Sequence, residues 1–155
     1  MLIGGTLSWV ALLAILKVRW EMLPNRSMPE ATVIPVLVYP DVTRAVDWLC
    51  DTFGFSLRLR IADHRAQLNV ADGAVVVTGG SLGDRHGFGS IMVRVKDVNS
   101  HYQRSKERKA RVLIVPADYP YGERQYTVED LAGHHWTFSQ SILDIDPLAW
   151  GASLE

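Results

Sequence analysis

The feature that most constrains this chain is an internal repeat: strand, Asp, helix and three more strand-like runs occur twice in succession. In the first copy ATVIPVLVY, residues 31–39, is rich in β-branched and aliphatic types and is broken by Pro40-Asp41. Val42, Ala45, Val46, Leu49 and Phe53 follow at helical spacing, with Asp41 placed to cap the helix and Gly54 to end it. Strand signals recur over residues 55–61, 66–70 and 74–78, the last after an Ala71-Asp72-Gly73 turn. In the second copy SIMVRV, residues 90–95, precedes Asp97. Superposing Asp97 on Asp41 aligns Val98 with Val42, Val93 with Leu37 and Val95 with Tyr39. A weaker helical face (Val98, Tyr102, Ser105) follows, then strands over 111–115, 125–128 and 135–139, with a loop at 116–122 and a turn at 130–133. Gly79, Gly80, Gly83, Gly87 and Gly89 fall between the halves. They lack the strand, GxGxxG spacing and helix of a phosphate-binding loop, so they read as a connector.

Composition narrows the function classes. A chain of 155 residues that is 48% hydrophobic can bury a core without staples. Its single cysteine, Cys50, cannot close an internal disulfide or start a zinc knuckle, which points to a reducing, cytoplasmic setting. Lys+Arg 16 against Asp+Glu 17 leaves no electrostatic footprint for a phosphate backbone, so nucleic acid is excluded as a partner. Residues 1–30 form an apolar N-terminal leader. Met1 to Leu16 carries no charge but falls short of the roughly 18 apolar residues that cross a bilayer. This segment reads as an appendage or start-site extension, with Met22 and Met28 as candidate starts. A membrane is a partner only if residues 1–20 belong to the native protein and insert.

Two stretches carry a family resemblance. YGERQYTVEDLAGHHWTFSQ (121–140) combines an acidic-turn-Gly-His element with an aromatic strand, and VLVYPDVTRAVDWLCDTFGF (36–55) is a strand-Asp-helix-Gly-Phe element. Together they resemble the vicinal oxygen chelate superfamily, which includes glyoxalase I, bleomycin-resistance proteins and extradiol dioxygenases. The resemblance covers residues 31–141, in modules of about 31–79 and 90–141, and leaves 142–155 as a C-terminal tail. It implies an α+β fold in which two βαβββ modules form a curled eight-stranded mixed sheet around a central cavity, often completed as a homodimer.

The family's enzymes hold a divalent metal through four inward side chains, and the resemblance places the first of each pair seven residues before the strand-ending Asp. Those positions are Ile34 and Ser90 here, with the second pair near Val77 and Thr137. None is a competent ligand for a divalent ion, so no metal or other cofactor is expected. What remains is a small-molecule-binding protein that sequesters an apolar or aromatic ligand. Its cavity would be lined by Ile34, Val36, Val77, Met92, Thr137, Tyr121 and Tyr126, with Arg94, Arg124 and His135 as polar anchors. The alternatives are a metal-dependent lyase, isomerase or dioxygenase of the same superfamily, and a metal-free enzyme using His135 for proton transfer. His64, His86 and His101 read as surface residues, and Cys50 as a buried thiol.

Overall fold

A computed structural model describes residues 25–81 and 90–151. The readings of residues 1–20 as extension or anchor, and of His86 and most of the glycine connector, lie outside these residues. The first module runs β1 (Val36–Tyr39), α1 (Val42–Phe53), β2 (Ser56–Ile61), β3 (Arg65–Val70) and β4 (Gly73–Gly79). The second runs β5 (Ser90–Arg94), α2 (Val98–Glu107), β6 (Arg111–Asp118), β7 (Glu123–Glu129) and β8 (His135–Ser141), followed by a single 3-10 turn at Pro147–Trp150. The repeat is therefore real at the level of elements. Both Asp caps form: Asp41 accepts from the Arg44 amide at 2.9 Å and Asp97 from the Ser100 amide at 3.0 Å. Gly54 ends α1 in the left-handed region at φ 77°, its N–H reaching the Cys50 carbonyl. Among the described residues, no helix is long and apolar enough to cross a membrane.

Strand order is β1-β4-β3-β2 in one sheet and β5-β8-β7-β6 in the other, with β1‖β4 and β5‖β8 parallel and the remaining pairs antiparallel. The eight strands thus form two four-stranded mixed sheets, one per βαβββ module, in keeping with the expected α+β fold of paired modules. Side-chain packing joins them instead of a strand ladder. Phe53, at the end of α1, meets Trp136 and Phe138 of β8 with ring centroids 5.5 and 4.9 Å apart. Leu37, Leu49, Phe55, Tyr126 and Val128 complete one core shared by both modules. Two boundaries differ from the sequence reading. β1 starts later than residue 31, its ladder opening where the Pro35 carbonyl accepts from Val76. β6 runs through Pro116 to Asp118, because it is an edge strand and its register shifts between Ile114 and Ala117, where a missing N–H costs no ladder bond.

The acidic-turn-Gly-His element proves to be a joint. The buried Asp130 carboxylate accepts from Tyr39 Oη (2.6 Å), Trp136 Nε1 (2.9 Å) and the backbone amides of Ala132 and His134. His134, also buried, donates from Nε2 to the Val38 carbonyl at 3.1 Å and meets the Tyr39 ring edge-on. The β7–β8 turn is thereby fastened to β1. His101 corrects another expectation, since it is half-buried between the modules. Its Nε2 donates to the Phe53 carbonyl (3.0 Å), which leaves Nδ1 to accept from Tyr126 Oη (2.6 Å).

Candidate functional site

Each sheet has one face under the helices and one open face, and strand alternation assigns every residue to one of them. On β8, Trp136 and Phe138 are fully buried under the helices, so His135, Thr137, Ser139 and Ser141 lie on the open side. Register then aligns three open-face rows across β5, β8 and β7: Ser90–His135–Glu129, Met92–Thr137–Thr127 and Arg94–Ser139–Gln125. Met92 is 61% exposed at the head of the middle row. Thr127 and Thr137 share a hydroxyl hydrogen bond at 3.0 Å.

A connected polar network occupies one end of this face. The Glu123 carboxylate accepts from Ser139 Oγ at 2.5 Å and from Ser141 Oγ. Gln125 Nε2 donates to Ser139 Oγ at 3.0 Å, Tyr121 Oη to Gln125 Oε1 at 3.2 Å, and the Arg94 guanidinium to Ser141 Oγ at 2.9 Å. Hydrogen bonds from Ser139 and then Ser141, with Arg94 nearby, hold the Glu123 carboxyl below its ordinary range. Tyr121 stacks on Tyr119 (5.4 Å) and meets Trp150 of the tail (5.6 Å), so three aromatic rings border the network. Burial, then Tyr119 and Glu123, push the Tyr121 phenol up. At the other end His135 Nε2 lies 3.6 Å from Glu129 Oε2, while Arg111 contacts both Glu129 oxygens at 2.8 and 3.0 Å.

The structure separates the sequence-derived site residues into two groups. Val36, Met92, Arg94, Tyr121, His135 and Thr137 share the open side or its rim, and Ile34 stands half-buried just before β1. Val77 does not join them: it is fully buried with Leu37, its partner across the parallel ladder, and the open-face position belongs to Val76. Tyr126 is likewise fully buried beneath α2, held by His101 and by Ser105 Oγ at 2.8 Å. Arg124 shares that helix-side face and is fixed by Asp118 (2.6 Å) and Asn99 (3.0 Å), so it is not one of the cavity's polar anchors. The sequence reading missed Glu123, Gln125, Glu129 and Ser141. ERQYTVE carries polar groups at every second position, and that alternation was the available signal.

With the register corrected, the four positions the resemblance assigns to a metal are Ile34, Val76, Ser90 and Thr137. Two are hydrocarbons and two are neutral hydroxyls, a donor set that does not fit a divalent ion. Among the described residues no group of three or more His, Cys, Asp and Glu side chains is spaced to hold one. Cys50 is not activated either, because burial, then Asp47 and Asp51, push its thiol up. A cleft of about 300 Å3 lies where Val33, Pro35 and Ala74 of the first module meet Ile91, Met92 and Arg94 of the second. This is the lower end of ligand-pocket size and combines a largely apolar lining with one cation, Arg94, and one carboxylate, Asp72. A larger hollow outside α1, between Asp47, Trp48 and Arg108, is shallow and bordered by solvent-screened charges.

Comparison with known proteins agrees with this architecture. The family model for the Glyoxalase/Bleomycin resistance protein/Dioxygenase superfamily matches residues 32–138. The crystal structure of TioX from Micromonospora sp. ML1 is 37% identical, with a TM-score of 0.63 over 70% of this chain and 97% of that one. Lactoylglutathione lyase from Agrobacterium tumefaciens shares the fold at 16% identity, with a TM-score of 0.59 over 80% of this chain and 98% of its own. An uncharacterized protein of Mycobacterium bovis is 26% identical over 135 residues, spanning 76% of this chain and 88% of its own length. On the matched span and the paired βαβββ modules together, this chain belongs to the glyoxalase/bleomycin resistance protein/dioxygenase superfamily.

Proposed function

We propose that the chain binds and sequesters a small planar apolar or aromatic molecule without a metal, as a cytoplasmic homodimer. The observation that carries this reading is the chemistry of the four corner positions: Ile34, Val76, Ser90 and Thr137 offer hydrocarbon and weak hydroxyls where a chelating member needs His or Glu. Around them, Val36 and Met92 present exposed apolar surface, while Tyr121, Arg94 and Glu123 supply stacking and a few fixed polar contacts. That mixture suits a flat ligand with one or two polar substituents. Exposed Val36 and Met92 also give a second copy of the chain apolar area to cover, and sedimentation at twice the 17.3 kDa chain mass is the expected result.

A thermal-shift and calorimetric screen of planar aromatic compounds, with and without a chelator, tests the proposal. Binding that survives the chelator and yields no product supports it. Binding that requires a divalent ion overturns it.

The pairing of His135 with Glu129 favours a second reading, metal-free acid–base chemistry, because a carboxylate can orient an imidazole for proton transfer. Turnover of a dicarbonyl or aromatic substrate that is abolished by His135→Ala, with affinity retained, would select it over sequestration.

A further inference from the structure

The open face of the first module differs from that of the second because the chain itself lies across it. The Arg58 guanidinium donates to the carbonyls of Arg26 (2.8 Å) and Met28 (2.9 Å), and the Gln67 carboxamide donates to the carbonyl between them, that of Ser27, at 3.0 Å. Arg58 also donates to Gln67 Oε1 at 2.6 Å, so two linked side chains hold three consecutive carbonyls. A bulge puts Arg58 in place. Pairing passes from Leu57↔Leu68 directly to Leu59↔Gln67, and the extra residue leaves the strand's alternation. Burial records the result: Pro29 is buried, and Gln67 and Val76 are only 5% and 3% exposed although both lie on the side away from the helices. The second module's equivalent row is Met92–Thr137–Thr127: Met92 and its counterpart Val36 are alike at 61% and 54% exposed, whereas Thr137 and Thr127 are only half-buried where Val76 and Gln67 are buried.

We infer that Asn25–Pro29 is a built-in plug, a peptide segment bound in cis on the first module's open face, which closes the Gln67–Val76 part of that face to small molecules and leaves Val36 and the second module's face as the ligand surface. The clamp recognises backbone carbonyls and no side chain, and the segment closes its own turn, the Met28 amide donating to the Asn25 carbonyl (3.0 Å) and the Ser27 amide to Asn25 Oδ1 (2.9 Å), so the class of ligand this surface takes is a peptide turn. Arg58 spends its contacts on neutral carbonyls and the Gln67 amide, so an anion is not the favoured occupant. Where the small molecule sits rests on the function proposed above; the plug itself does not.

Hydrogen exchange on the full chain, paired with fluorescence of the apolar dye anilinonaphthalene sulfonate, tests the inference. In the double variant Arg58→Ala/Gln67→Ala the Ser27 and Met28 amides, which donate to Asn25 within the clamped turn, should exchange about tenfold faster, the factor by which losing a charge-assisted hydrogen bond to the turn's carbonyls eases its opening. Dye fluorescence should rise severalfold as Val76 is uncovered. Arg60→Ala, on the same strand but facing Thr43 of α1, should change neither readout. If the double variant fails to fold, Gln67→Ala alone removes one carbonyl contact and should shift both readouts in the same direction by less. Unchanged exchange or unchanged dye binding in the folded variant overturns the plug. Because neither readout uses the screened compounds, a failed ligand screen with a released plug would count against the function alone.

Discussion

Tyr126 buries its hydroxyl beneath α2, between Ser105 Oγ at 2.8 Å and His101 Nδ1 at 2.6 Å. Burial pushes its phenol well above the ordinary range, so it stays neutral and donates. Tyr126→Phe keeps the ring and strands two partners, and it should cost about 1–3 kcal/mol in urea unfolding, the price of buried groups left unpaired. An unchanged midpoint would contradict this assignment. His101 adds a pH dependence with a definite sign. Burial is the largest cause of its depressed pKa, with Arg104 adding to it and the hydrogen bond to Phe53 opposing it. A folded-state value below the ordinary 6.5 means that its contribution is fully present above pH 6.5 and is lost as pH falls below it. The melting temperature of the native chain should therefore drop as pH falls below 6.5 more steeply than that of His101→Gln, whose amide can make both hydrogen bonds without titrating. Parallel slopes would contradict it. Glu123, whose pKa is depressed from 4.5, acts in a more acidic window, where its contribution disappears on further acidification.

At the scale of elements, the β7–β8 turn carries the largest expected effect. Asp130→Ala leaves Tyr39 Oη and Trp136 Nε1 without an acceptor inside the core and removes two turn contacts. A loss of about 3 kcal/mol or more is expected by calorimetry, since each stranded donor costs about 1–3 kcal/mol. A change under about 1 kcal/mol would mean the turn is not the joint between the modules. The elements also show where sequence reading succeeds and where it stops. Both N-caps, Gly54 and the strand-helix-strand order follow from local chemistry, and all appear in the fold. The face of β4 does not follow. Val75, Val76 and Val77 are each 3% exposed or less, so AVVVT contains no alternation from which register could be counted, and Val77 was assigned one residue out. Val76 is buried on the open side beside Gln67, whose amide donates to the Ser27 carbonyl, a contact between segments far apart in sequence. Arg124 was misplaced for a related reason: β7 carries charge on both faces, and only Asn99 on α2, together with Asp118 on β6, shows which way Arg124 turns.

For the whole molecule, the duplicated punctuation made the modules legible, but not the way they join. Asp41 and Asp97 set the two copies in register, whereas the joint depends on Phe53 reaching Trp136 and Phe138, and on His134 reaching Val38. Neither contact has a local sequence signature. The open faces of the halves differ: on the first, Arg58 and Gln67 hold the carbonyls of Arg26, Ser27 and Met28, and the second carries Met92, Arg94, Tyr121 and the Glu123 network. The central claim concerns the positions where chelating relatives hold an ion, and metal content tests it most directly. Full-length protein dialysed against zinc, nickel, manganese and ferrous iron, then passed through a desalting column and analysed by mass spectrometry, is expected to retain well under one equivalent of any of them. One tightly held equivalent per chain, lost on Thr137→Ala or Ser90→Ala, would contradict the account.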